Sequence, residues 1–185
     1  MPQLALIAPR CTRTGACPFP AMVSLSPPDE RTGSTDRQVL ETLWLMKAIA
    51  HDAVPDVPRY GTPPEIYDFV RQHMKFRADP AHAEKLIHPG QLAQDIERDG
   101  IGFGDCDDRA MLQAAMLLKI GSPCAFVVMG RDRLGNFQHV ICAAGRARGP
   151  DNLNGLTPMD SQERMPMGKW TPPVPDDGRF FVLPV

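Results

Sequence analysis

The sequence predicts an α+β fold, with helices in the first part of the chain and an antiparallel sheet after them. Apolar residues recur at helical spacing up to residue 120, whereas residues 124–129 and 137–143 form short apolar runs typical of strands. The link between the two runs is short, so the strands are predicted to be antiparallel neighbours. Residues 106–120 lack a polar face, which indicates a helix buried against that sheet.

Capping and proline signals set the ends of the other elements. Thr62 and Glu65 form a capping box, with proline at the first helical position between them. Gly121 and Pro123 end the buried helix. In the first helix, Trp44 lies on the apolar stripe and is predicted to anchor the core. The predicted helices span residues 35–50, 63–75, 91–98 and 106–120, and further short strands are predicted at residues 156–160 and 180–183.

Length and composition predict one domain with an N-terminal extension. Residues 1–34 mix proline, serine, threonine and glycine without a sustained period, and are predicted to form an extended or loosely ordered arm. Residues 35–185 are predicted to form the domain, which is long enough to bury a hydrophobic core.

Charge and cysteine content restrict the partners and the compartment. A net charge of −2 at pH 7 gives no electrostatic basis for binding nucleic acid or an anionic membrane. No apolar run approaches the roughly 20 residues needed to span a bilayer, and the apolar patch within residues 1–10 is too short for a secretory signal. Five irregularly spaced cysteines favour reduced thiols over a disulfide framework. The sequence therefore predicts a cytoplasmic protein without a nucleic-acid or membrane partner.

A cysteine at a helix start is the most distinctive local feature. Asp105 is predicted to be the N-cap, and Asp108 completes an acidic version of the capping box. Cys106 then becomes the first helical residue, beside backbone N–H groups and the positive end of the helix macrodipole. This position favours the thiolate form of a cysteine.

Three residue types needed for nucleophilic catalysis follow one another along the chain as Cys106, His139 and Asp160. A thiol nucleophile needs a base that takes its proton, and the base needs a partner that fixes its tautomer. Each residue also has a structural interpretation, as a buried thiol, a core histidine or a turn aspartate.

The sequence predicts no metal and no cofactor. Cys11 and Cys17 could form half of a metal site, but no second Cys/His pair with ligand spacing follows them. The other histidines stand at polar or connecting positions and are predicted to be solvated. These histidines are His51, His73, His82 and His88.

Several motifs together resemble the superfamily of transglutaminase-like cysteine peptidases and transglutaminases, in particular its small prokaryotic or phage-type members. The motifs are Gly-Asp-Cys-Asp-Asp-Arg-Ala at 104–110, Leu-Leu-Lys-Ile-Gly-Ser-Pro at 117–123, Phe-Gln-His-Val-Ile at 137–141 and Pro-Met-Asp at 158–160. The resemblance is strongest over residues 63–163. It implies a papain-like fold, with Cys106 as nucleophile, His139 as general base and then acid, and Asp160 as the orienting carboxylate. It also implies that the Cys106 backbone N–H contributes to an oxyanion hole.

The resemblance implies acyl transfer on amide bonds, and hydrolysis of a peptide or isopeptide bond through a Cys106 thioester is the favoured reaction. A peptide or protein is then the expected substrate. Two alternatives stay open at the sequence level. One is a transglutaminase that passes the acyl group to an amine, and the other is an inactive scaffold or a phage or prophage assembly module that keeps the fold.

Overall fold

In the computed structural model, the described parts of the chain are residues 23–25, 36–79, 84–130, 137–162, 166–169 and 180–185. They form a mixed fold of helices and sheets. The helices are α1 (Asp36–Asp52), α2 (Pro63–His73), α3 (Pro89–Asp99) and α4 (Cys106–Lys119). The strands are β1 (Val23–Leu25), β2 (Met74–Phe76), β3 (Glu84–Leu86), β4 (Gly102–Gly104), β5 (Cys124–Gly130), β6 (Phe137–Gly145), β7 (Leu156–Pro158) and β8 (Phe180–Pro184).

The main sheet has four strands in the order β7-β6-β5-β8, and every neighbouring pair is antiparallel. Every residue of β5 is buried, as expected for an interior strand with an unbroken apolar run. Phe126 and Val140 on one face belong to the same apolar core as Met111 of α4. The predicted antiparallel sheet with a helix packed on it is therefore present.

Helix α4 lies at the centre of the fold. It contacts α1, α2 and α3 in addition to β5 and β6. All of its residues from Asp107 to Leu117 are buried, which confirms the prediction from its apolar sequence. The polar side chains of Arg109 and Gln113 are buried with it. Gly121 follows with a φ of 71°, a left-handed conformation that favours glycine after a helix.

Two further strands position the start of α4. Strand β2 continues directly from α2 and pairs in parallel with β4, so that Phe76 lies opposite Gly104. The Arg77 N–H donates to the Gly104 carbonyl at 3.0 Å and extends this pairing. The sequence did not predict this small sheet. Its consequence is that the end of α2 lies beside the residues that lead into Cys106.

Two predictions about single side chains are wrong. Trp44 is 57% exposed, because it lies on the solvent side of α1, where the Lys47 ammonium group lies 5.4 Å from its ring centroid. His88 is buried at 4% exposure instead of solvated. Its Nδ1 accepts a hydrogen bond from the Gly90 N–H at the start of α3, and its Nε2 lies 3.4 Å from Asp52 Oδ2.

Most of the predicted N-terminal arm lies outside the described residues, together with Cys11, Cys17 and His82. From the arm, the structure describes Val23–Leu25, which pairs antiparallel with β3. Within the described ranges, no helix has the length and apolar character needed to cross a membrane.

Candidate active site

Cys106 is the first residue of α4, as the capping signals predicted. Asp105 is the N-cap in an extended conformation, and its backbone N–H donates to Asp108 Oδ2 at 3.4 Å. The Cys106 side chain is partly exposed. Its N–H belongs to the first turn, whose N–H groups lie outside the hydrogen-bond pattern of the helix and carry the positive end of the macrodipole.

His139 and Asp160 form a buried pair. His139 lies on β6, and its Nε2 is 2.8 Å from Asp160 Oδ2, with both side chains no more than 3% exposed. Asp160 follows β7 by two residues. The antiparallel pairing of β6 with β7 brings it back to His139, and the Met159 N–H prolongs that pairing by donating to the Cys142 carbonyl at 2.9 Å.

The three residues predicted from the sequence line one cavity between α4, β6 and the segment after β7. Its lining includes Cys106, His139 and Asp160. Four other lining residues carry a buried side-chain atom that has no hydrogen-bond partner among the described residues. These atoms are Arg109 Nε, Gln113 Nε2, Ser161 Oγ and Gln162 Oε1. The cavity beside the cysteine can therefore hydrogen-bond a polar group or water.

Sequence reasoning missed the residues that hold the Asp160 segment in place. The Tyr67 hydroxyl on α2 donates to the Asp160 carbonyl at 3.4 Å, and the Gln162 N–H donates to Asp160 Oδ1 at 3.2 Å. The Arg109 guanidinium donates to the Ser161 carbonyl at 3.0 Å. Burial lowers the pKa of Arg109 and raises that of Tyr67. The apolar surroundings of Arg109 in the sequence could have revealed its burial, because a helix buried all round also buries its few polar residues.

The residues that flank Cys106 in the sequence carry three carboxyl groups that cluster. Asp107 and Asp108 are 3% and 1% exposed. Burial raises the pKa of Asp107 well above its ordinary value, and it raises the pKa of Asp108 to about 8, although a hydrogen bond from the Ile87 N–H at 2.7 Å acts in the opposite direction. Ligand atoms of Asp105, Asp107 and Asp108 lie within 4.8 Å of one another, close enough to share one cation. The sequence predicted no metal, and it did not predict this cluster.

The other described cysteines differ from Cys106 in their surroundings. Cys106 is partly exposed, whereas Cys124 and Cys142 are buried. Cys124 and Cys142 are buried within the sheet, and burial together with the Cys124 side chain raises the pKa of Cys142. Among these three, Cys106 is therefore the thiol that a reagent or substrate reaches.

Comparisons with known proteins add little to this geometry. No protein-family model and no curated protein matches the chain. Among solved structures, the chain is similar to calcium-bound LapG of Legionella pneumophila, with 18% sequence identity and a TM-score of 0.39 over 74% of this chain and 75% of that one. A likeness at this level assigns neither a fold nor an activity, so the functional interpretation rests on the site itself.

Proposed function

We propose that this protein is a cysteine-dependent acyl-transfer enzyme that hydrolyses a peptide or isopeptide bond, with Cys106 as nucleophile, His139 as base and Asp160 as its orienting partner. The observation that supports this most is the buried 2.8 Å contact between His139 and Asp160 at a cavity that Cys106 also lines. A papain-like arrangement is part of the proposal. It is supported by the position of Cys106 at the start of a helix that packs on the strand carrying His139.

The His139–Asp160 contact supports a separate role for each ring nitrogen of His139. When Nε2 carries the hydrogen and donates it to the Asp160 carboxylate, Nδ1 holds the lone pair that can accept the Cys106 proton. Asp160 then stabilises the imidazolium that forms. The first turn of α4 stabilises the thiolate from the other side.

The proposed reaction has two steps. The Cys106 thiolate attacks the carbonyl carbon, and the carbon–nitrogen bond breaks as the His139 imidazolium gives its proton to the leaving amine. A thioester and neutral His139 remain. A water molecule then gives a proton to His139 and attacks the thioester, which releases the carboxylic acid and restores the thiolate–imidazolium pair. The Cys106 backbone N–H is the proposed donor to the oxyanion in both steps.

A peptide library derived from digested proteins tests this proposal, because it presents many different peptide bonds at once. The wild type is incubated with the library in ¹⁸O-labelled water, and new carboxyl groups are identified by mass spectrometry. Cys106→Ala and His139→Ala are the variants, and Cys142→Ala is the matched control, because it removes a buried cysteine outside the cavity. We expect ¹⁸O incorporation with the wild type and the control, and none with the two variants.

The same experiment separates the alternatives. Addition of a primary amine diverts the thioester into amide products if the enzyme is a transglutaminase. A folded wild type that yields neither labelled carboxyl groups, nor amides, nor an acyl adduct on Cys106 would contradict an enzymatic role and favour an inactive scaffold or assembly module.

A further inference from the structure

We propose that Arg109 is a positioning residue that fixes the Asp160 segment on α4 and so holds the His139–Asp160 pair in register with Cys106. This inference rests on the proposed function, because it gives Arg109 a task within the same site. The side chains of Cys106, His139 and Asp160 come from α4, β6 and the segment after β7, and Arg109 lies on α4, which carries the nucleophile.

Arg109 lies about one turn beyond Cys106 on α4, on the same side of the helix, and it lines the same cavity. Its side chain is 6% exposed. A guanidinium is always charged and costs free energy to bury, so its burial on α4 requires hydrogen-bond partners.

The partners of Arg109 are two main-chain carbonyls that are distant in sequence. Nη2 donates to the Met74 carbonyl at 2.7 Å, and Nη1 donates to the Ser161 carbonyl at 3.0 Å. Met74 begins β2, and Ser161 immediately follows Asp160. The planar guanidinium therefore joins α4, the β2–β4 sheet and the Asp160 segment through one rigid group.

The bond to Ser161 acts on Asp160 through the main chain. The peptide unit between residues 161 and 162 accepts from Arg109 through its carbonyl and donates through the Gln162 N–H to Asp160 Oδ1 at 3.2 Å. The other oxygen of Asp160 contacts His139 Nε2. Movement of this peptide unit would consequently turn the carboxylate that is proposed to orient the imidazole.

A purely structural role for Arg109 makes a different prediction from a positioning role. If the side chain only stabilised the fold, its loss would lower the free energy of unfolding and leave the folded site unchanged. If it positions Asp160, its loss must also weaken the His139–Asp160 hydrogen bond in protein that remains folded. The measurement must therefore report on that hydrogen bond.

The test compares full-length wild type with Arg109→Met, Arg109→Lys and the control Arg98→Met. Arg98 is an exposed arginine on α3 that bonds to Asp95 and Asp99. Nuclear magnetic resonance follows the low-field proton on His139 Nε2, assigned by its loss in His139→Ala. Iodoacetamide alkylation of Cys106 is measured as a function of pH, and urea unfolding establishes that each variant is folded.

We expect the Nε2 proton of folded Arg109→Met to lose its protection from exchange with water, and Arg98→Met to match the wild type. We expect the alkylation rate at about pH 6 to fall roughly tenfold to a hundredfold in Arg109→Met, since small misplacements of catalytic groups have effects of this size. At about pH 10 the rates should converge, because an ordinary thiol is then ionised. The alkylation rate of Arg109→Lys at about pH 6 should lie between those of the wild type and Arg109→Met, since one ammonium group cannot replace the bidentate guanidinium.

An unchanged Nε2 proton and an unchanged pH profile in folded Arg109→Met would overturn the proposal. If Arg109→Met does not fold, the His139 Nε2 proton and the pH profile of Cys106 alkylation are compared between Arg109→Lys and the wild type instead, and unchanged results would overturn the proposal in the same way. Failure of the proposed function would give a different result. Cys106 in His139→Ala would then be alkylated at the same rate as in the wild type. The His139 Nε2 proton, compared between wild type and Arg109→Met, would still report whether Arg109 holds Asp160.

Discussion

Two groups of polar side chains near the start of α4 differ in their electrostatics. On one side, His139 and Asp160 form a complementary pair at 2.8 Å. On the other, acidic side, ligand atoms of the Asp105, Asp107 and Asp108 carboxyl groups lie within 4.8 Å of one another. Both groups lie against the first turns of α4, and both include side chains that are almost fully buried.

Burial affects the His139–Asp160 pair and the cluster of three aspartates differently. A histidine facing a carboxylate gains an interaction that offsets part of the cost of leaving water. Neighbouring carboxylates repel one another and have no such favourable interaction, so burial and repulsion raise the pKa of Asp107 and Asp108. Protonation or a bound cation would remove this repulsion. The complementary side is therefore suited to proton transfer, and the acidic side responds to pH.

The largest expected contrast is in thiol reactivity. Limiting iodoacetamide at about pH 6 should modify Cys106 roughly a hundredfold faster than Cys124 or Cys142, because both of those thiols require local unfolding for access. Mass spectrometry of the digested protein gives the order of labelling. Cys11 and Cys17 lie outside the described residues, and the sequence predicts ordinary reactivity for them. Labelling of Cys11 or Cys17 ahead of Cys106 would show that the helix start does not activate the thiol.

The acidic side should tolerate no added volume at Gly104. A Cβ there would lie 2.5 Å from Asp108 Oδ2 and 2.7 Å from Asp108 Cβ. Gly104→Ala should therefore lower the free energy of unfolding by about 1–3 kcal/mol through overpacking. Gly149→Ala is the matched control, because its nearest neighbour, Asp151 Oδ1, is at an ordinary 3.6 Å, and its effect should stay within about 0.5 kcal/mol. Equal urea midpoints for the two variants would mean that the Gly104–Asp108 contact relaxes without cost.

The pH response of the acidic side can be isolated with Asp108→Asn. Burial raises the pKa of Asp108 to about 8, so the folded protein holds this proton more tightly than the unfolded chain. Ionisation of Asp108 therefore costs stability as the pH rises from about 4 to about 8, and this loss is complete above that range. Asparagine cannot ionise. The stability of Asp108→Asn relative to wild type should rise across this window, by at most about 1.4 kcal/mol per pH unit.

Urea unfolding at several pH values, in buffer containing EDTA, measures this difference. Asp99→Asn serves as the control of opposite sign, because the Arg98 hydrogen bond lowers the pKa of Asp99 and its neutral variant should gain nothing over the same window. A pH-independent difference between Asp108→Asn and wild type would show that folding does not raise the pKa of Asp108.

The smallest expected effect is on the complementary side. Tyr67→Phe removes the hydroxyl that donates to the Asp160 carbonyl at 3.4 Å and keeps the ring. The variant should lose about 0.5–1.5 kcal/mol of stability, the usual range for one hydrogen bond. Tyr60→Phe is a suitable control, because Tyr60 is the other tyrosine of the chain and packs on Phe69. If Tyr60→Phe lost more stability than Tyr67→Phe, the hydrogen bond from Tyr67 would not be what stabilises the Asp160 segment.

The sequence predicted the parts of this molecule that depend on local signals. The start of α4 at Cys106 follows from a capping pattern within four residues, and the buried strand β5 follows from an unbroken apolar run. The choice of His139 and Asp160 followed from their order and from motif resemblance, and the structure places them in hydrogen-bond contact. Their catalytic roles stay a proposal.

The features that the sequence did not predict depend on packing between distant segments. The β2–β4 pairing and the bonds from Arg109 to Met74 and Ser161 join residues that no local pattern connects. Trp44 lies at a position that fits the apolar stripe of α1, yet it faces solvent. Periodicity identifies the more apolar face of a helix, but it does not show how much of that face is covered by neighbouring elements. His88 stood at a polar position in a connection, and its burial follows from its role at the start of α3.

His139 and Asp160 are proposed to act on Cys106 as one unit. The alkylation rate of Cys106 against pH in wild type, His139→Ala, Asp160→Ala and the double variant, with unfolding curves for all four, tests this claim. We expect His139→Ala to abolish the excess reactivity at about pH 6 and Asp160→Ala to remove it in part. The double variant should lose no more than His139→Ala alone, because the carboxylate then has no imidazole to orient. Additive losses from the two substitutions would contradict the claim.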